Sequence, residues 1–194
     1  MASIVGVHGI AQELKGPTKL QDEWFASLRD GVMAAKLGTP EVTLACAFYG
    51  GLFRPAGEIR TAGEPYYRPS DVTEDEGALL MLLWEEAARL EPDRVTPPDA
   101  QLRATSSWIQ VGLRVLARSR FFAGLAERAF IGALKQVRRY LREPEIRKAV
   151  QDAVDAVVTE QTRVIVAHSL GSVVAYEFCI AFETNHDGGI LRRW

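Results

Sequence analysis

The segment Val164-Ile-Val-Ala-His-Ser-Leu-Gly171 sets one serine, Ser169, between two small residues, Ala167 and Gly171, each two positions away, with His168 beside it. A β-branched run leads into this serine and the apolar stretch Gly171 to Phe182 follows it. That pattern predicts a buried strand, a tight turn and a helix, with Ser169 at the turn. In so tight a turn the two flanking positions press against neighbouring backbone, so only tiny side chains fit. The strain holds the serine Oγ out of the sheet, over the start of the helix. Ala167 stands where Gly is usual and adds a single methyl. The chemistry such a turn serves is attack of a presented hydroxyl on a carbonyl carbon.

Attack on a carbonyl builds negative charge on its oxygen, and that charge needs backbone N–H donors already in place. Leu170, the residue after the serine, offers one. Val5-Gly-Val-His-Gly-Ile10 reads as a strand ending in His-Gly, from which Ile10 or Gly9 offers the second, Gly9 letting the chain turn sharply. Alone, a strand ending in His-Gly is equally an ordinary turn; its pairing with the Ser169 turn favours the chemical reading. His8 is expected to brace this loop and not to act as the base.

A base is harder to find. His168 adjoins Ser169, but neighbouring side chains at such a turn diverge. His186, in Asn185-His-Asp-Gly-Gly189, is the one histidine that follows the serine, and with Asp187 it is a weak candidate for base and acid against a plain turn. Cys46 and Cys179 sit among apolar neighbours without metal-ligand spacing, and read as small buried hydrophobes. No metal or organic cofactor is implied.

The elements that must position these residues follow from periodicity. Ser3 to Val7 and Glu41 to Tyr49 read as strands, the second closed by Gly50-Gly51, and Arg163 to Ala167 as a third. Between the first two, a capping box at Thr18-Lys-Leu-Gln21 opens a helix whose stripe is Leu20, Trp24, Leu28 and Val32, ending at Gly38. A loop runs to Pro69. Thr73-Glu-Asp-Glu76 is a second capping box, opening a helix through Leu79, Leu80, Leu83 and Leu90 that Pro92 ends. Helices are expected over Asp99 to Arg118 and Phe121 to Leu141. Another starts at Pro144, buried through Ile146, Val150, Ala153, Val154 and Val157. Strands alternating with helices predict an α/β fold, a parallel sheet with helices on both faces.

With 194 residues, 47% apolar and 25% charged, the chain is long enough for one ordinary core and needs no second domain to explain its size. No apolar run reaches membrane-spanning length, and Met1 to Ile10 lacks the pattern of a signal peptide, so a soluble, cytoplasmic protein is expected. The net charge of −2 conceals a basic stretch from Gln101 to Lys148, with eleven Arg and Lys against three acids. Apolar residues recurring at helical period favour a solvated helix face over a binding surface, and no nucleic-acid motif accompanies the stretch. Peripheral contact with anionic lipid through these helices stays open. Trp108, Phe121, Phe122 and Phe130 could form a lid at a lipid surface, but core packing is the favoured reading.

The His8-Gly9-Ile10 strand end, the Ala-His-Ser-Leu-Gly turn at 167 to 171 and their order resemble the α/β-hydrolase superfamily, particularly its bacterial lipase-like and esterase-like members. The resemblance covers residues 1 to about 55 and 145 to 185. It implies that the three strands match the third to fifth of that sheet, and that 71 to 142 is a helical cap or lid-like insertion in a single domain. It further implies a serine hydrolase cleaving a small-molecule or lipid ester, or a related acyl bond. In that family the acid and then the histidine follow the serine, whereas only 25 residues follow Ser169 here. A further strand-helix-strand unit takes roughly thirty residues or more. The expectation is therefore a chain truncated at its C-terminus, weak or inactive as it stands, with an apolar strand edge that makes it associate. Two alternatives stand beside the hydrolase: a non-catalytic interaction protein using Arg138, Arg139 and Arg142, and an acyltransferase on the same fold.

Overall fold

The computed structural model describes residues 2–13, 15–38, 42–54, 67–102, 105, 107–122 and 127–185. The elements in order are β1 (Ile4–Val7), α1 (Pro17–Ala34), β2 (Leu44–Ala47), α2 (Glu74–Leu90), α3 (Trp108–Leu116), α4 (Glu127–Arg142), α5 (Pro144–Asp155), β3 (Val164–Ala167) and α6 (Leu170–Asn185). They fall into two compact units, Met1–Ala56 with Glu143–Trp194, and Gly57–Arg142. Length alone suggested one core. The helical insertion instead begins at residue 57 and has a core of its own, because α2, α3 and α4 turn their apolar stripes on one another.

In the first unit β1 is the central strand of a three-stranded parallel sheet of order β2-β1-β3. The register pairs Val7 with both Ala47 and Ala167, so the C-terminal ends of the three strands lie level. Each strand is four residues long and shorter than its apolar pattern. One face carries Ile4, Leu44 and Cys46 and is covered by α1 through Leu20, Trp24 and Phe25. On the other face Val5 and Val7 are fully buried, and α6 packs on β1 and β3 with α5 against it. Right-handed crossovers leaving β1 in one direction and arriving at β3 from the other require helices on opposite faces.

The helix starts show which local signal wins. The capping box expected at Thr18 does not form: α1 begins at Pro17 after Gly16, which has no side chain to cap it. Pro17 has its φ preset and lacks the N–H a cap would satisfy, so it takes the first helical position. At the other end two residues turn left-handed, Lys36 (φ 59°) and the expected Gly38 (φ 81°), and Leu37 N–H donates to Val32 O at 3.1 Å. The box at Thr73 does form: Glu76 N–H donates to Thr73 Oγ1 at 3.4 Å, and Thr73 N–H to Glu76 Oε2 at 2.9 Å. Pro144 opens α5 as expected, and Val150 and Val154 are its fully buried residues.

The second unit packs large residues against small ones. Gly112 of α3 faces Trp84 of α2, and Gly77 of α2 faces Trp108 of α3, so each helix lays an indole on the other's bare backbone. Leu80, Trp84, Leu113, Leu116, Ile131 and Leu134 fill the space between, and Trp84 Nε1 donates to Thr96 O at 2.6 Å. Three expectations need correction. Helix α3 begins only at Trp108 and α4 at Glu127, so neither helix fills its expected span. Leu90 is exposed, because the buried stripe of α2 runs through Leu80, Trp84 and Ala87 and passes it by. Phe121 is 67% exposed, whereas Phe122 and Phe130 pack 4.9 Å apart in the core and Trp108 lies against it. Phe121 follows a turn that Glu91 pins by accepting from Arg120 N–H at 3.0 Å.

Four cations of the basic stretch pair with acids that lie outside it: Lys135 with Glu76 (2.9 Å), Arg120 with Glu91 (3.6 Å), Arg147 with Glu177 (2.7 Å) and Lys148 with Asp152 (2.6 Å). The linear count therefore overstates the local field. Among the described residues no helix is long and apolar enough to cross a membrane.

Candidate active site

Ser169 stands between β3 and α6 in the left-handed region, with φ 56°. An L-residue pays about 1–2 kcal/mol for that conformation, and strained residues of this kind concentrate at functional sites. Two short bonds close the turn: Gly171 N–H to His168 O at 3.0 Å and Ser172 N–H to Ser169 O at 2.9 Å. The demand for small flanks is met most sharply at Gly171, where a Cβ would lie 2.2 Å from Val7 O and 2.5 Å from His8 O. Helix α6 thus begins in contact with the end of β1. The Ser169 side chain is exposed, and Leu170 behind it is buried.

The end of β1 meets this turn directly. His168 N–H donates to Val7 O at 3.2 Å, extending the ladder one residue past the last strand pair. A Cβ on Gly9 would then lie 2.7 Å from Ser169 Cβ and 2.8 Å from His168 O. Gly9 is required for this close approach and not for the sharp turn expected of it; the residue that turns is Ala11, at φ 61°. Each of the two turns therefore holds one non-glycine residue at positive φ, Ala11 after β1 and Ser169 after β3. The Ile10 and Leu170 N–H groups carry no hydrogen bond to any described residue. Both belong to the two turns that Gly9 and Ser169 bring together.

His8 is committed elsewhere. Its ring is buried, donates from Nδ1 to Gly9 O at 2.7 Å and accepts at Nε2 from Tyr49 N–H at 3.1 Å. Tyr49 stacks on it with ring centres 3.9 Å apart and donates its hydroxyl to His8 O. Burial holds the pKa of His8 below its ordinary 6.5, against the smaller opposite pull of the Gly9 carbonyl. The neutral Nδ1–H tautomer that results is a brace for the loop. Tyr49, the residue that fixes it, has no signal of its own in the sequence, since the strand pairing that sets it beside His8 is not local.

His168 turns to the α1 side of the sheet, where it lines an apolar groove of about 430 Å³ with Ile4, Trp24, Ser27, Leu28, Leu44 and Val166. Ser169 Oγ makes no hydrogen bond to a described residue. His186 and Asp187 lie outside the described residues. Cys46 is buried, which pushes its thiol up to about 11, and Cys179 is half-buried. Among the described residues no group of three or more His, Cys, Asp or Glu converges to hold a metal ion.

No family model, curated protein or solved structure matches this chain. The reading of the site therefore rests on its geometry. The turns after β1 and β3 leave adjacent strand ends for helices on opposite faces of the sheet, α1 and α6, and in open α/β sheets ligands bind outside the C-terminal ends of the strands. Gly9, Ile10, Ser169 and Leu170 all lie at those strand ends.

Proposed function

We propose that Ser169 is the nucleophile of a serine hydrolase of the α/β-hydrolase type, acting on a carboxylic ester or related acyl bond of a small molecule or lipid. The observation that carries this reading is the left-handed Ser169 held against Gly9, with the N–H groups of Ile10 and Leu170, which bond to no described residue, in the same two turns. Ser169 Oγ adds to the carbonyl carbon, the carbonyl electron pair moves to its oxygen, and those N–H groups hold the resulting oxyanion. The serine proton passes to a base and then to the departing alcohol, leaving an acyl-serine that water cleaves by the same steps in reverse. His8 is excluded as that base by its two hydrogen bonds, and His168 turns away into the groove.

Fluorophosphonate labelling of the folded chain, with imidazole supplied in solution as an external base, is expected to mark Ser169 and to disappear in Ser169→Ala. A folded chain that stays unlabelled at Ser169 would make the turn a structural one and leave an interaction protein as the reading. Neutralising Arg138, Arg139 and Arg142 together would then test that alternative through loss of binding to anionic vesicles. Product analysis with an added alcohol acceptor separates hydrolysis from acyl transfer at the same serine.

A further inference from the structure

We infer that Tyr49 and His8 are positioning residues for the oxyanion donor Ile10, a role that rests on Ser169 being the nucleophile. A trans peptide is planar, and its N–H points opposite to its C=O. The Ile10 N–H therefore takes its direction from the Gly9 carbonyl, which belongs to the same peptide. That carbonyl accepts from His8 Nδ1 at 2.7 Å. In a neutral imidazole one nitrogen donates and the other accepts. Tyr49 N–H, a donor alone, claims Nε2 as the acceptor at 3.1 Å, which leaves the ring proton on Nδ1, aimed at Gly9 O.

Tyr49 holds the ring as well as its tautomer, stacking on it at 3.9 Å and donating its hydroxyl to His8 O. Because Tyr49 follows β2, the imidazole lies on the β2 side of β1 and draws the Gly9 carbonyl to that side. The Ile10 N–H then points the other way, to the β3 side, where Ser169 stands against Gly9. The rest of the loop is fastened too. Ile10 O accepts from Gln12 Nε2 at 3.3 Å, so the carbonyls of His8, Gly9 and Ile10 are bonded in succession. Beyond Tyr49, a Cβ on Gly50 would come within 2.7 Å of Gln12 O, and Arg54 Nε donates to Glu13 O. The segment from Tyr49 to Arg54 thus grips the loop from the β2 end. A donor held in this way needs no reorientation when the oxyanion forms.

Two substitutions tell the ring nitrogens apart. Asparagine carries its amide nitrogen on Cγ, as Nδ1 is carried, so His8→Asn keeps a donor for Gly9 O and gives up the acceptor for Tyr49 N–H. Glutamine reaches the place of Nε2, so His8→Gln keeps the acceptor and gives up the donor. The readout is fluorophosphonate labelling of Ser169 at pH 8, with imidazole as external base, followed over reagent concentration. His8→Gln should lower the limiting rate at least about tenfold with the half-saturating concentration unchanged, a part of what losing a donor outright would cost. His8→Asn should stay within about threefold of wild type, and Tyr49→Phe, which removes one hydroxyl, should fall between the two. Equal rates for His8→Gln and His8→Asn, or rates that only follow their unfolding midpoints, would make His8 structural and overturn the role. In the 15N NMR spectrum of the wild-type chain the His8 proton is expected on Nδ1, and a proton on Nε2 overturns the role independently of any variant. If wild type labels at Ser169 and His8→Gln labels as fast, the positioning role falls while the nucleophile stands; if the folded wild-type chain does not label, both fall.

Discussion

Gly9 has no room for a side chain because Ser169 is there: an added Cβ would come within 2.7 Å of the serine Cβ. That contact ties the loop after β1 to the turn after β3, and it makes Gly9→Ala the most informative single methyl in the chain. To fit, the loop must withdraw and take the Ile10 N–H with it. Overpacking of this kind costs about 1–3 kcal/mol. Loss of one oxyanion donor costs about 10²- to 10³-fold in rate. Denaturant unfolding beside the rate of Ser169 labelling measures both effects. A variant that is destabilised but labels at the wild-type rate would argue against Ile10 as a donor.

The left-handed Ser169 predicts an opposition between stability and reactivity. Ser169→Gly relieves the strain, whereas Ser169→Ala keeps it, so the glycine variant should be the more stable of the two by about 1 kcal/mol. Neither should label. Equal midpoints for the two variants would mean that the turn relaxes and stores no strain.

His8 predicts a pH dependence of folding. Burial lowers its folded-state pKa below the ordinary 6.5, so in the interval beneath 6.5 the unfolded chain binds a proton that the folded chain refuses. The stability it contributes is complete above 6.5 and is lost as pH falls from there through the folded-state value. His8→Gln keeps an acceptor for Tyr49 N–H but no titrating ring. It should be less stable than wild type at pH 7.5, by about 1–3 kcal/mol for the lost partners, and shallower in its decline towards pH 5. An unchanged slope would show that His8 is not the titrating group.

In the helical unit, Glu76 both closes the capping box of α2 and pairs with Lys135, whose Nζ also donates to Asp71 O at 2.7 Å. The carboxylate is buried, so removing it strands a cation that is itself only 17% exposed. Glu76→Ala should cost about 3–5 kcal/mol, and Glu76→Gln less because the cap survives. Thermal unfolding of both variants tests this, and a loss below 1 kcal/mol in Glu76→Ala would assign the pair no structural weight.

Cys46 should resist alkylation. With its thiol pushed up to about 11, only about one molecule in a thousand is thiolate at pH 8, and burial bars the reagent besides. Iodoacetamide is expected to modify it only as fast as the chain unfolds; modification at the rate of a free thiol would place Cys46 at the surface.

Much of this protein was legible one element at a time. The β-branched run into Ser169, the small residues around it, the box at Thr73 and the proline at residue 144 are local signals, and the strand, turn and helix starts they predict are present, because propensity and capping act over three or four residues. Competing local signals were harder to rank: Pro17 displaced the box at Thr18, and Lys36 turns left-handed ahead of Gly38. What only the tertiary structure decided is everything that depends on two distant segments meeting. The register of β1 with β3 sets Gly9 against Ser169, that of β1 with β2 sets Tyr49 on His8, and the packing of α2 on α3 and α4 gives the insertion a core of its own. Side-chain periodicity tells which face of a strand is buried but not which strand lies beside it, and the contact that sets Gly9 and its loop against Ser169 passes between strands.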